Sequence, residues 1–218
     1  MGFDPEFGRD PDAPRRLQVR NMHLGASVLA CDEAIVPTHW QASCFPPLLR
    51  QRMHVIHDGI RTDELQPDAR AWISLERQGL RLSHGDEVVT FINRNLEPMR
   101  GYHQFMRALP RILSERPKAH VVIVGGDGVS YGSAHASGES YKSIYLKEVR
   151  AQLDMSRVHF VSRVPYGVLL SLLRISAAHV YLTVPFVLSW SMLEAMSVGA
   201  LVILSLIHIS EPTRQAEI

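Results

Sequence analysis

The sequence is poor in the residues that build disulfide frameworks and metal centres. It has two cysteines in 218 residues, Cys31 and Cys44. They form no C-x-x-C pair, and one bridge would be a thin framework for this length, so a reducing, cytoplasmic setting is expected. Net charge is equally scarce. The 23 Lys and Arg against 22 Asp and Glu leave +1 with histidine neutral. That balance makes no electrostatic case for nucleic acid or for an acidic membrane surface. No apolar run is long enough to span a bilayer, so no transmembrane segment is expected. Residues 1–12 are acidic and rich in Pro and Gly, unlike a signal peptide. The histidines form no spaced ligand set, so no metal site is expected. Internal repeats and low-complexity tracts are absent. Apolar residues, by contrast, make up 46 % of the chain, enough for the core of one domain or of one domain and part of another.

From Glu87 onward, strand and helix patterns alternate. Short β-branched or apolar runs at 88–92, 121–124, 158–161, 179–183 and 200–204 predict five strands. Helical spacing falls between them: Phe105, Leu109, Ile112 and Leu113; Tyr141, Ile144, Tyr145, Val149 and Leu153; residues 165–175, with Pro165 near the first turn; and residues 190–198, closed by Gly199. Pro110 predicts a kink or early stop in the first of these helices. Near-continuous apolar strands alternating with helices imply an α/β fold with a doubly wound parallel sheet buried on both faces. The earlier part is less regular. Residues 22–30 predict a helix, 34–37 and 54–56 short strands, and 66–85 a polar connection with some helical character.

In an open parallel sheet, ligands bind outside the C-terminal ends of the strands. The residues that follow each strand are Asn93 and Arg94, with Arg100-Gly101 beyond; Gly125, Gly126 and Gly128; Ser162, Arg163 and Val164; and a helix start at Ser189, Trp190 and Ser191 with Glu194 further in. Arginines, a glycine loop, a helix N-terminus and a carboxylate on one edge suit a nucleotide diphosphate. The helix start offers free N–H groups, arginine makes charge-assisted bonds, glycine allows close approach, and a carboxylate accepts from ribose hydroxyls.

The stretch RNLEPMRG (94–101), then residues 121–126, then SWSMLEAMSVG (189–199) resemble the C-terminal, donor-binding domain of family 4 glycosyltransferases, which have the GT-B fold. VIHDGI (55–60) with Pro67 resembles the entry into that domain, and 37–41 with Phe45-Pro46 the segment before it. On this resemblance, residues 1–50 are the tail of an N-terminal acceptor-side domain and a linker, and 51–203 an incomplete nucleotide-sugar-binding domain. Arg94 and Arg100 match the basic pair that holds the donor diphosphate and stabilises the leaving nucleotide; Glu194 matches the ribose-binding carboxylate. Backbone near Trp190 and Ser191 would meet phosphate, and that around Ser162 to Val164 the base. The resemblance implies a glycosyltransferase using a UDP- or GDP-sugar as substrate, with no cofactor, usually retaining and usually metal-independent. The acceptor stays open between a glycan, a lipid and another molecule, as does peripheral membrane contact through the rest of the enzyme; this chain alone is expected to be inactive. One departure is Phe186, where the family typically has a second glutamate that contacts the transferred sugar; Val187-Leu188-Ser189 replaces its glycine-rich stretch.

Plainer readings compete at each position. Arg94 and Arg100 could be surface arginines, Glu194 a solvated helix residue, and the glycines a tight turn. His57 more often caps a turn than moves protons. Ser189 and Ser191 lack the G-x-S-x-G of a nucleophile elbow. A non-catalytic nucleotide-sugar-binding relative is one alternative. A Rossmann oxidoreductase is a weaker one, because the glycine cluster lacks the third glycine of G-x-G-x-x-G. Finally, LSLIHISEPTR (204–214) resembles the in-frame translation of a transposon-based sequencing adapter, so 204–218 is expected to be a non-native tail. The alternative there is a strand at 204–209 with a turn at Pro212.

Overall fold

The computed structural model describes residues 12–76, 79–130, 132–184 and 189–204. Contacts divide the chain into two compact units, with the division at Gly59/Ile60. In the first, helix α1 (Ala13–Ala30) leads to strand β1 (Ala34–Val36), two short helices α2 (His39–Ser43) and α3 (Pro47–Arg50), and strand β2 (Met53–Val55). β1 and β2 pair in parallel, Ala34 opposite Met53. The Arg52 guanidinium donates to the carbonyls of Leu29 (3.3 Å) and Cys31 (3.1 Å), which satisfies acceptors that the end of α1 leaves open. Helix α1 starts earlier than residue 22, because Pro14 near its N-terminus tolerates a missing N–H there.

The second unit holds a hairpin and a five-stranded sheet. Strands β3 (Trp72–Leu75) and β4 (Leu80–Ser83) pair antiparallel around Gly79, whose φ is +60°. This corrects the helical character expected at 66–85. Alternation, not helical spacing, governs the segment: Ile73 and Leu82 are buried and Trp72 and Arg81 face out, the guanidinium 4.3 Å above the indole ring.

The sheet comprises β5 (Val88–Asn95), β6 (His120–Gly126), β7 (Val158–Val161), β8 (Ala178–Tyr181) and β9 (Val202–Leu204), all parallel in the order β7-β6-β5-β8-β9. Helices α4 (Tyr102–Glu115), α5 (Tyr141–Val149), α6 (Tyr166–Ile175) and α7 (Trp190–Ser197) connect the strands. Burial splits with the period of two. On β6, Val121 and Ile123 pack with Phe105, Leu109 and Tyr145 of α4 and α5. Val122 and Val124 pack on the other face with Leu172, Leu173 and Ala195 of α6 and α7, together with Ile73 and Leu82. The sheet is therefore covered on both faces, as the sequence implied. α4 runs through Pro110 to Glu115, so the proline does not stop it. Burial of Leu109 and Leu113 on the same helix, each side chain worth roughly 1.5–3 kcal/mol, outweighs the lost hydrogen bond.

Two histidines lie inside this sheet. His179 is fully buried; its Nδ1 lies 2.9 Å from Thr90 Oγ1, which is 2.8 Å from Ser176 Oγ. Burial pushes its pKa down to about 4. Burial, and then the neighbouring His120 at 3.1 Å, also lower His159. The unfolded chain binds protons to these rings below about pH 6.5, the folded chain only at lower pH. Their stabilisation is thus complete above pH 6.5 and is lost as pH falls toward 4. Urea unfolding across this range is expected to show a decline of up to ~3 kcal/mol from His179, and His179→Asn should flatten that part of it. Parallel profiles for the two proteins would contradict this account.

Candidate functional site

The C-terminal edge of β5 begins the site. β5 runs to Asn95, three residues beyond the expected end, with its register against β6 interrupted between Ile92 and Asn95. Arg94 therefore lies within the irregular end of the strand, not after it. It is exposed and its guanidinium bonds to no described residue. A 3₁₀ turn, Pro98–Arg100, follows, and Arg100 is half-buried at its end.

That turn is fastened to β8. Gly101 starts α4 with φ +70°. A Cβ at Gly101 would overlap Leu182 Cβ and lie 2.6 Å from Leu182 O. Next to it, the Val184 N–H donates to Met99 O at 2.9 Å. Glycine is thus needed for both conformation and proximity. The arginine turn and the chain leaving β8 toward α7 are held side by side.

Glu97, within the same turn, is fully buried. Its carboxylate accepts from the N–H groups of Ser130 (3.0 and 3.1 Å) and Gly132 (3.3 Å), while Asn95 Nδ2 donates to Ser130 Oγ at 2.8 Å. These bonds tie the loop after β6 to the end of β5. Gly126 and Gly125 belong to the same packing. A Cβ on Gly126 would sit 2.7 Å from Asn95 Oδ1, and one on Gly125 would sit 2.7 Å from Leu96 Cδ2. Both glycines are strand residues that let the side chains of Asn95 and Leu96 close in, not a tight turn. The loop they open reaches Ser140 before α5 begins. A dinucleotide fingerprint needs the glycines to lead straight into a helix, so the Rossmann oxidoreductase reading loses its support.

On the other face, α7 begins at Trp190, which is exposed, with Ser189 Oγ 2.9 Å from Ser191 Oγ. The first N–H groups of a helix have no intrahelical acceptor. Glu194 is buried in this helix, and its Oε1 accepts from the Tyr166 hydroxyl at 2.8 Å. Tyr166, at the start of α6, carried no sequence signal, since the contact joins residues on two different helices. Arg163 is exposed after β7 and bonds to no described residue; Val164 packs against the α6–α7 side of the core. Asn93 Nδ2, near the end of β5, and Thr183 Oγ1, just after β8, are shielded from solvent and bond to no described residue. His57, in the first unit, caps a turn: its Nδ1 accepts from the Gly59 N–H at 2.8 Å. Phe186, Val187 and Leu188 lie outside the described residues, as does the tail from 205. Among the described residues, no three His, Cys, Asp or Glu side chains gather as a metal-binding group, and no helix is long and apolar enough to cross a membrane.

Residues 73–209 match the family described as Glycosyl transferases group 1, and 1–65 the Glycosyl transferase family 4 group. The chain belongs to the glycosyl transferases group 1 family. No curated protein matches it significantly. Among solved structures it resembles sucrose-phosphate synthase from Thermosynechococcus elongatus, with a TM-score of 0.65 and 20 % identity over 88 % of this chain and 45 % of that one. It also resembles Anabaena HepE, in complex with UDP and glucose, with a TM-score of 0.57 and 17 % identity over 94 % and 51 %. A trehalose-phosphate synthase from Burkholderia vietnamiensis follows, with a TM-score of 0.59 and 13 % identity over 81 % and 45 %. The chain thus spans about half the length of each of these three. For this group 1 glycosyltransferase chain, the likeness establishes the fold: its five-stranded unit is the Rossmann-like half of a GT-B enzyme.

Proposed function

We propose that this chain carries the donor site of a glycosyltransferase that takes a sugar from a UDP- or GDP-sugar. The observation that carries the reading is the seat of the Arg100–Gly101 turn on the backbone of Leu182 and Val184. It sets a cationic turn beside the chain that leads to the α7 N-terminus, within the region matched to the family.

In this reading Arg94 and Arg100 hold the diphosphate, and the first N–H groups of α7 add a positive dipole end. Glu194 accepts from the ribose hydroxyls, and backbone from Ser162 to Val164 meets the base. When the bond between the anomeric carbon and the diphosphate oxygen breaks, negative charge grows on the departing nucleotide. Cations already in place stabilise that charge without reorganising. The reaction would be retaining and would need no metal, since arginines do the neutralising. A UDP-bearing neighbour of the same fold supports the ligand class. The acceptor would be met by the other half of the enzyme, so this chain alone binds donor without transferring it.

Calorimetric titration of the chain with UDP and GDP tests the assignment. Arg94→Ala and Glu194→Ala are each expected to weaken binding by about 10-fold or more, the loss of a charge-assisted bond. Unchanged affinity in both variants would remove the site from this edge.

A further inference from the structure

Glu194 is a buried carboxylate whose two oxygens have different surroundings. Oε1 takes the Tyr166 hydroxyl at 2.8 Å. Oε2 takes no bond from a described side chain, so one oxygen is held by a described donor and the other is not. A carboxylate turns about its last torsion in a broad, roughly two-fold well, so without a fixed donor its other oxygen would have no set direction.

The donor here is fixed at its base. Pro165 precedes Tyr166 with φ −56°, and its carbonyl accepts from the N–H groups of Val168 and Leu169 at 3.0 Å each. The first turn of α6 is therefore rigid where the phenol leaves it. Arg61 and Glu64, paired with each other, lie near enough to act on the phenol. Burial, followed by the hydrogen bond to Glu194 and the charges of Glu194 and Glu64, pushes its pKa up to about 12. It remains a donor throughout the neutral range. Yet Tyr166 is 55 % exposed, so its ring contributes little to the core. The bond of the hydroxyl also sets the direction of Glu194.

We propose that Tyr166 is a positioning residue for the donor site: by occupying Glu194 Oε1 it aims Oε2 at the ribose hydroxyls of the nucleotide. This rests on the donor reading above.

The test uses the 218-residue chain with UDP and GDP and their 2′-deoxy forms, in Tyr166→Phe, Glu194→Ala and the double variant. Tyr166→Phe is expected to bind the ribonucleotide about 5-fold more weakly, the worth of one hydrogen bond, and to prefer it less strongly over the deoxy form. In the Glu194→Ala background it should add nothing, since the hydroxyl acts only through that carboxylate. Its urea midpoint is expected to fall by no more than the loss of one hydrogen bond, with the chain still fully folded under the titration conditions. If Glu194→Ala weakens binding while Tyr166→Phe does not, Tyr166 has no such role and the donor reading stands. Additive losses, or a lowered urea midpoint that accounts for the weaker binding, also overturn the proposal. If the parent binds neither nucleotide, or Glu194→Ala is silent, the donor reading itself fails.

Discussion

Gly101→Ala is expected to be among the most destabilising single substitutions in the chain, at roughly 2–4 kcal/mol. Two effects add. An L side chain at φ +70° costs about 1 kcal/mol relative to glycine. The new methyl group would also press on Leu182, both on Cβ and on the carbonyl oxygen. Backbone cannot rotate aside as a side-chain tip can, so the sheet edge or α4 must shift, typically for 1–3 kcal/mol. Gly59 and Gly85 are the controls. They also have positive φ, but a Cβ at either would meet nothing within 4 Å. Gly59→Ala and Gly85→Ala should cost only the conformational part. Urea unfolding of the three variants checks this. A Gly101→Ala midpoint no lower than those of the controls would show that the contact with Leu182 is unimportant.

The second large effect is expected from Arg94→Ala/Arg100→Ala. Each arginine is assigned a charge-assisted contact to the diphosphate worth about 1.5–3 kcal/mol, so removing both should weaken UDP or GDP binding by roughly 10²–10⁴-fold. Affinity should also lose much of its salt dependence, because exposed charges such as Arg94 act through solvent that salt screens. Calorimetry at low and high salt measures both. In an enzyme completed with its acceptor-side half, kcat should fall more than KM rises, since the charge these groups stabilise grows as the sugar leaves. A double variant with parental affinity and parental salt dependence would show that the diphosphate binds elsewhere.

Much of this fold was legible because parallel strands buried on both faces have little freedom in composition. The runs at 121–124 and 158–161 and the helix closed by Gly199 lie where the apolar pattern placed them. The hairpin was not legible. In WISL and LRLS only every second residue is buried, and the polar residues between them blur the segment into a connection. The end of β5 was misplaced for a related reason. Asn93, Arg94 and Asn95 are polar and look like loop, but their backbone stays extended because β6 continues alongside to Gly126. At the proposed site, Arg94, Arg100 and Glu194 could be proposed from the motif alone. What holds them could not. Tyr166 reaches Glu194 across two helices, Glu97 reaches Ser130 and Gly132 across a whole helix and strand, and the Gly125–Gly126 pair answers to side chains on another strand. Such partners are set by tertiary proximity, which no sequence period encodes.

The strand order also dictates when the edge formed by the ends of β5 and β8 can exist. β5, β6 and β7 are successive along the chain and pair in that order, so this half can assemble from comparatively near neighbours. β5 must then wait for β8, with Val89 meeting Ala178 only after two further strands and three helices have been laid down. Such distant parallel pairings close slowly. Leu182 and Val184 arrive with β8, so the arginine turn has no seat until that late step. Before it, β5 presents an unpaired apolar edge, the form in which a growing or refolding chain is most exposed to mispairing with another copy.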